Sequence, residues 1–232
     1  MPDIKISSLE GREFGAYCAL PPSGRGPGLI VIQEIFGVND SMRKICDSFA
    51  AQGYIAVCPD LFWRQEPCVQ LSDKTQAEWD RALALMQGFD LEQGVRDLLS
   101  TLGHIRRMPN CNGKLGTVGY CLGGKLAYLM ATRSDADASV SYYGVQLENY
   151  LDEIHDVREP LLVHIAGLDK YVPPDIRTKI LHAFARNSAI EAHVYENADH
   201  AFTRIGGQNY NKEAAELANG RTKEFLAKIL QG

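Results

Sequence analysis

The residues best suited to chemistry lie around Cys121, in the run Gly119-Tyr120-Cys121-Leu122-Gly123-Gly124. A short apolar strand pattern, Lys114 to Val118, precedes this run, and a small, apolar helical segment, Leu122 to Ala131, follows it. Glycines two residues either side of a nucleophile are typical of the nucleophile elbow, a strand-to-helix turn too tight for larger neighbours. The free N–H groups at the start of the helix would favour a thiolate. The pattern therefore predicts a nucleophilic cysteine, with an inert buried cysteine on a glycine-rich turn as the alternative.

Two polar residues follow later strand patterns in equivalent positions. Asp169 comes shortly after Leu161 to Ile165, and His200 comes after Glu191 to Tyr195. Loops at the carboxyl ends of parallel strands meet at one edge of the sheet, where ligands bind. The order Cys121, Asp169, His200 is the nucleophile–acid–base order of α/β-hydrolases. We therefore predict that Cys121 attacks a carbonyl, His200 moves the proton and Asp169 orients the imidazole. Taken singly, Asp169 could be a turn former and His200 a solvated loop residue.

Glu34 is an ionisable residue close to the end of the apolar strand pattern Leu29 to Ile32. We expect its carboxylate to point into the same cleft, where it would influence ionisation of the thiol. A surface charge at a strand end is the alternative. The backbone N–H groups of Ile35 and Leu122 are the predicted oxyanion hole.

Strand and helix patterns alternate along the chain, which is typical of a mostly parallel sheet covered on both faces. An N-terminal hairpin is expected from Ile4 to Ser7 and Phe14 to Ala19, and further strand patterns include Tyr54 to Val57 and Ala138 to Tyr142. Helices are expected after caps at Asn39 or Asp40 and at Asp90. A C-terminal helix, Asn211 to Leu230, would present Leu217, Phe225, Leu226 and Ile229. These patterns predict one α/β-hydrolase domain over residues 1–232, with a mostly parallel central sheet and helices on both faces.

The composition excludes several classes of protein. Hydrophobic residues make up 45% and charged residues 23% of the 232 positions, as in a globular protein with a sizeable core. The net charge of −5 argues against a general nucleic-acid binder. The chain opens without a signal-peptide pattern, and no apolar run of ~18 residues could span a membrane. Six cysteines are scattered without a C-x-x-C pair, so we expect reduced thiols in a cytoplasmic protein, no metal site and no cofactor.

Several motifs at matching spacings resemble the dienelactone hydrolase (carboxymethylenebutenolidase) family, and the likeness runs from about Ile4 to Leu226. The motifs are Gln33-Glu-Ile-Phe-Gly-Val-Asn39, Cys58-Pro-Asp-Leu61, Phe89-Asp90, Val118-Gly-Tyr-Cys-Leu-Gly-Gly124, Tyr142-Tyr-Gly144 and His200-Ala-Phe-Thr-Arg204. The resemblance implies a cysteine-dependent hydrolase that opens dienelactone to maleylacetate in chloroaromatic catabolism. It implies the roles given above for Cys121, His200 and Asp169. It also implies that Glu34 pairs with the resting thiol and helps to release its proton.

The resemblance further implies a substrate pocket, and here the chain departs from the family. Arg204 matches the family arginine that binds the substrate carboxylate, and guanidinium suits that task. Phe36, Tyr143 and Phe202 lie in matching motifs and are expected to line the pocket. The family places a second arginine and aromatic residues within Lys74 to Gln87. This chain has Arg81 about two positions out of register, a helical rotation of roughly 200°.

Other functions remain open at this point. A related esterase or lactonase with a different substrate is one alternative, which the departure within Lys74 to Gln87 favours. A noncatalytic protein with Cys121 as a redox-sensing thiol is another, although no resolving cysteine lies near it in the sequence. We expect a small-molecule lactone or ester as the partner, no nucleic acid, no membrane and a monomer.

Overall fold

The structure, a computed structural model, describes residues 4–232. It has the predicted α/β fold, with eight strands in a mostly parallel sheet and helices between them. The chain divides into two compact units, the first ending at Gly116 and the second running from Thr117 to Gly232. That all 232 residues form one domain stays a prediction.

The first unit contains the N-terminal hairpin and the first parallel pair of strands. Its strands are β1 (Ile4–Ser7), β2 (Glu13–Ala19), β3 (Gly26–Ile32) and β4 (Ile55–Pro59), in the order β1-β2-β4-β3. The first two pairings are antiparallel and β3 is parallel to β4. Its helices are α1 (Asp40–Ala51), α2 (Gln76–Gln87) and α3 (Leu91–Arg106). All residues of β3 and β4 are buried, as expected for uninterrupted apolar strands.

The second unit contains the elbow and the strands that follow it. Strand β5 (Cys111–Tyr120) begins in the first unit and ends in the second. From β5 onward, the strands of the sheet follow the order β5-β6-β7-β8. The later strands are β6 (Ala138–Tyr142), β7 (Leu161–Ala166) and β8 (Ile190–Tyr195), and β7 is parallel to both β6 and β8. The helices are α4 (Leu122–Arg133), α5 (Pro174–Phe184) and α6 (Lys212–Leu226), with a 3₁₀ segment at Leu147–Asp156 and a last turn at Ala227–Gln231.

The helix starts follow the predicted caps. The side chain of Asn39 accepts a hydrogen bond from the Met42 N–H, and that of Asp90 accepts one from Gln93. Each cap satisfies one of the N–H groups that the first turn of a helix leaves without an internal partner.

The apolar face predicted for the C-terminal helix is wrong at Leu217, which is 50% exposed. Helix α6 instead buries Ala215, Ala218, Thr222 and Leu226. These residues repeat at helical spacing, but two alanines and a threonine give a weak apolar signal, so the larger Leu217 misled the prediction. Within residues 4–232, no helix is long and apolar enough to cross a membrane.

Candidate active site

Cys121 lies at the strained turn between β5 and α4. Its backbone has φ 58° and ψ −114°, a conformation that L side chains rarely adopt. The Cys121 N–H donates to the Tyr142 carbonyl at 3.1 Å, so the turn is fixed to the end of β6. A Cβ on Gly119 would collide with the Gly123 carbonyl, and one on Gly124 would collide with that of Tyr142. The turn therefore requires glycine on both sides of the cysteine.

The structure brings Cys121, His200 and Asp169 together. The Nδ1 atom of His200 lies 2.7 Å from Oδ2 of Asp169, and the side chains of His200 and Cys121 are hydrogen-bonded. The His200 side chain is 10% exposed and that of Asp169 is 1% exposed. The other carboxylate oxygen of Asp169 accepts the Tyr171 N–H at 2.8 Å, which fixes the carboxylate. The three residues follow the ends of β5, β7 and β8, the predicted positions at the sheet edge.

The electrostatics of this group favour a charged imidazole. Burial lowers the pKa of His200, but the negative charge of Cys121 and the hydrogen bond to Asp169 raise the pKa to about 10 on balance. An imidazolium beside a thiolate is the form in which a cysteine attacks and a histidine donates a proton. The arrangement can therefore do nucleophilic and acid–base chemistry at neutral pH.

Aromatic side chains surround the imidazole. The Tyr143 ring lies 5.2 Å from that of His200, and its hydroxyl forms a 2.7 Å hydrogen bond with Thr203. Phe202 is fully buried and its ring lies 5.5 Å from Tyr143. The structure thus places Tyr143 next to His200, and Phe202 next to Tyr143. It adds Tyr171, 4.9 Å from the imidazole, which sequence reasoning missed although it lies two residues after Asp169.

The segment that carries His200 also carries Arg204. Ala201 has a positive φ of 63°, and the Arg204 N–H donates to its carbonyl at 3.0 Å, which closes a tight turn. Arg204 is partly exposed. The Arg204 guanidinium and the His200 imidazole are therefore carried by the same short, turned segment.

Leu122 is the first residue of α4, and its N–H therefore belongs to the free N-terminal turn of that helix. This is the position that an oxyanion donor of the elbow requires.

The remaining predicted site residues belong to the first unit. Glu34, Ile35 and Phe36 follow β3 and are 4%, 5% and 1% exposed, so Glu34 is not the surface charge of the alternative interpretation. The Phe36 ring meets the edge of Trp79 at 5.0 Å.

Arg81, in contrast, lies on the exposed side of α2. Its guanidinium pairs with Glu66, and its side chain is 52% exposed. Trp79, two residues earlier, is the α2 residue that contacts Phe36. Sequence reasoning missed Trp79. The signal that could have found it was the two-residue register difference at Arg81, because Trp79 lies two residues before Arg81.

Within residues 4–232 no group of three or more His, Cys, Asp or Glu side chains could hold a metal ion. The absence of a cofactor stays a prediction.

Comparisons with known proteins agree along the whole chain. The sequence profile of the dienelactone hydrolase family matches residues 14–230. A protein of Azospirillum brasilense named "Putative carboxymethylenebutenolidase" is 51% identical over 99% of this chain and all of its own length. The "Carboxymethylenebutenolidase" of Pseudomonas putida is 42% identical over 97% of this chain and 96% of its own. The crystal structure of a "Putative Dienelactone Hydrolase" from Klebsiella pneumoniae superposes with a TM-score of 0.84 at 28% identity, covering 97% of this chain and 96% of the other.

Proposed function

The chain belongs to the dienelactone hydrolase family and is a hydrolase acting on lactone or ester bonds, and we propose that it opens a carboxylate-bearing enol-lactone, dienelactone, to maleylacetate. In this proposal Cys121 is the nucleophile, His200 the acid and base, and Asp169 the residue that orients the imidazole. The observation that carries the proposal is the hydrogen-bonded relay from Asp169 Oδ2 through His200 to the Cys121 side chain.

The first half of the reaction opens the ring. The Cys121 thiolate attacks the lactone carbonyl, a C–S bond forms, and the carbonyl electron pair moves onto the oxygen. When this tetrahedral intermediate collapses, the ring C–O bond breaks and the leaving enol oxygen takes a proton from the His200 imidazolium. The product of this half is a thioester on Cys121 with a free enol, which tautomerises to the ketone of maleylacetate.

The second half releases the acid. Neutral His200 takes a proton from water while the water oxygen attacks the thioester, and the C–S bond then breaks to return the thiolate. Asp169 stabilises the imidazolium each time it forms and keeps Nδ1 in its donor role. The imidazolium–thiolate pair from which the attack begins is regenerated, so no net proton is lost from the protein.

Charge develops on the carbonyl oxygen in both halves. We assign its stabilisation to the N–H groups of Leu122 and Ile35, of which Leu122 begins helix α4. For Glu34 we retain the role that the family resemblance implies, accepting the proton of the resting thiol. Its burial supports a function that a solvated carboxylate could not perform as well.

The substrate carboxylate is assigned to Arg204, because a guanidinium can bind it through two hydrogen bonds. Tyr143, Phe202 and Phe36 are proposed to line the pocket. We further propose that the protein works as a cytoplasmic monomer in chloroaromatic catabolism, without a metal or cofactor. Light scattering on a sizing column tests the monomer directly, and an enlarged species would contradict it.

A related esterase or lactonase with another substrate is the second candidate, and one observation favours it. Arg81 is half exposed and paired with Glu66, so its guanidinium is engaged by a carboxylate of this chain rather than by a charged lactone. Comparing kcat/KM for the dienelactone isomers with that for p-nitrophenyl acetate separates the candidates. A preference for the simple ester over both isomers would favour the second.

The nucleophile is tested by Cys121→Ala, with Cys111→Ala as the matched control because Cys111 begins the strand that Cys121 follows. We expect lactone hydrolysis to be abolished in the first variant and unchanged in the second. Circular dichroism should show both folded, since the elbow requires its glycines rather than the sulfur. Multiple turnovers by the Cys121 variant would remove Cys121 from the nucleophile role.

A stoichiometric burst of p-nitrophenol that stops at one equivalent in the wild type would instead indicate the redox-sensing thiol. Continued turnover past one equivalent supports the hydrolase.

A further inference from the structure

Lys125 is a buried cation one helical turn after Cys121 on α4. It is 6% exposed, and a lysine is almost never this buried without a partner. Its Nζ donates to Oε1 of Gln146 at 2.9 Å. Because the Gln146 side chain is neutral, this bond fixes the position of the ammonium without cancelling its charge.

The surroundings hold Lys125 in a defined place relative to the elbow. The Ser141 hydroxyl donates to the Gly124 carbonyl at 2.8 Å, and the Cys121 N–H donates to Tyr142 at 3.1 Å. The chain from β6 to Gln146 is therefore tied to the first turn of α4 by three hydrogen bonds, one of them from Lys125 itself. Gln146 reaches this position through a left-handed backbone, with φ 59° and ψ 27°.

Two groups act on the ammonium through their charge when ionised, Cys121 from the start of α4 and Glu148 from the 3₁₀ segment. Cys121 lies one turn before Lys125, whose backbone N–H donates to the Cys121 carbonyl at 3.2 Å. Burial lowers the pKa of Lys125, and the charges of Cys121 and Glu148 oppose that shift. The Oε2 atom of Glu148 is buried and has no hydrogen-bond partner within residues 4–232. This oxygen therefore does not pair with the Lys125 ammonium.

Among residues 4–232, the charges that act on Lys125 are those of Cys121 and Glu148, while Asp152 and Glu153 of the 3₁₀ segment act on Tyr128 further along α4. Strand β6 contains no ionisable residue except Tyr142, whose hydroxyl bonds to Thr222 at 2.6 Å. On the 3₁₀ segment, Glu153 is held by Arg133 at the far end of α4, at 2.5 Å. Lys125 is thus a fixed positive charge whose negative neighbours are Cys121 and Glu148.

We propose that Lys125 is a positioning residue whose buried ammonium favours the thiolate of Cys121 over the thiol. An opposite charge in a water-poor site stabilises an anion more than it would in bulk water. Glu148 acts in the opposite sense, because its carboxylate interacts with the same ammonium. This inference rests on the proposed role of Cys121 and extends it, since it assigns part of the thiolate stabilisation to a residue outside the relay.

The test measures ionisation of Cys121 directly. The rate of alkylation by iodoacetamide, an uncharged reagent, is followed against pH by mass spectrometry of the peptide that contains Cys121. In Lys125→Met, which keeps the length and removes the charge, we expect the midpoint of the profile to rise by roughly one pH unit. Lys125→Gln, which keeps a donor for Gln146 without the charge, should shift in the same direction. Lys125→Arg, which keeps the charge, should stay near the wild type.

Glu148→Gln provides a test with the opposite sign and keeps the proposal falsifiable if the lysine variants fold poorly. Its midpoint should fall, because the carboxylate that shares the Lys125 ammonium with Cys121 is removed. Midpoints of the methionine and glutamine variants that coincide with the wild type would overturn the proposal, as would an unchanged or raised midpoint in Glu148→Gln. A purely structural role for Lys125 would lower the melting temperature of the methionine variant without moving the midpoint.

The outcome is separable from that of the proposed function. If the wild type still hydrolyses lactone after complete alkylation of Cys121, the proposed function fails, whatever the midpoints show. If alkylation abolishes hydrolysis and the midpoints do not move, only the role of Lys125 fails.

Discussion

Replacing Asp169 with asparagine tests the proposed relay by changing one hydrogen bond, the one between Asp169 and His200. The His200 Nδ1 atom lies 2.7 Å from Asp169 Oδ2, and the side chains are 10% and 1% exposed. Asparagine keeps the shape and can still accept the Tyr171 N–H through Oδ1, which Asp169 does at 2.8 Å. Its NH₂ group would then face Nδ1, so the imidazole must move its proton to Nε2 and lose its charged partner.

The expected loss follows from burial of both partners. Breaking a buried, hydrogen-bonded charge pair costs about 3–5 kcal/mol of folding stability. We take the lower part of that range as the loss of transition-state stabilisation, because asparagine remains polar. A loss of about 3–4 kcal/mol corresponds to roughly 150- to 900-fold in kcat/KM. Burial lowers the pKa of His200 while Cys121 and then Asp169 raise it to about 10, so the variant should also have a lower imidazole pKa.

The assay is kcat/KM for p-nitrophenyl acetate, together with an NMR titration of the imidazole. Asp199→Asn is the matched control, because Asp199 accepts the backbone N–H of His200 at 2.6 Å and does not bond to the imidazole in the structure. We expect the control to stay within about threefold of the wild type, well under the tenfold that 1.4 kcal/mol represents. An Asp169→Asn variant with wild-type activity and an unchanged imidazole pKa would refute the relay.

The other predictions concern substrate binding, the thiol proton and pH. Arg204→Ala should lower kcat/KM for a carboxylate-bearing lactone by about 10- to 150-fold, which is the worth of a hydrogen bond to a charged group. The same variant should lose little activity on p-nitrophenyl acetate. Equal losses on both substrates would show that Arg204 only holds the His200 segment. Arg81→Ala should change kcat/KM for the same lactone by less than about threefold, since its pair with Glu66 is exposed, and a loss as large as that of Arg204→Ala would contradict this. Glu34→Gln should lower kcat more than it raises KM, and a variant with wild-type kcat and only a raised KM would argue against a role in releasing the thiol proton. Burial, with the neighbouring positive groups, holds the pKa of His164 well below its usual range. The stability that neutral His164 contributes is therefore complete above about pH 6.5 and falls below it, by up to about 1.4 kcal/mol per pH unit. In urea unfolding at pH 7.5, 6.5 and 5.5, the free energy of unfolding of His164→Asn should not show this decrease. A decrease parallel to that of the wild type would contradict the argument.

The sequence by itself determined the fold class and most of the strands. Strands β3, β4 and β6 are short apolar runs buried throughout, so their signal does not depend on which face they present. Caps such as Asn39 and Asp90 act within three residues of themselves, and local chemistry was enough to place them. The elbow was predictable for the same reason, because steric limits on Gly119 arise within a few residues of Cys121.

Tertiary structure decided what depends on residues distant in sequence. The side-chain partners of His200 include Cys121 and Asp169, and the second is 31 positions away. Chain order could suggest that these residues meet, but only the packing of β5, β7 and β8 sets their distances, burial and the raised pKa of His200. Lys125 illustrates the same limit, since a lysine in sequence is expected on the surface and only its contact with Gln146 shows otherwise.

The misjudged Leu217 and the overlooked Trp79 have the same physical cause. Leu217 is a large apolar residue that α6 leaves half exposed, because neighbouring small residues pack more closely there. Arg81 and Trp79 lie on different sides of α2, and only the orientation of that helix decides which of them contacts Phe36. Residue type and spacing determine which chemistry this chain can offer, whereas burial and contact between distant segments decide which side chains take part in it.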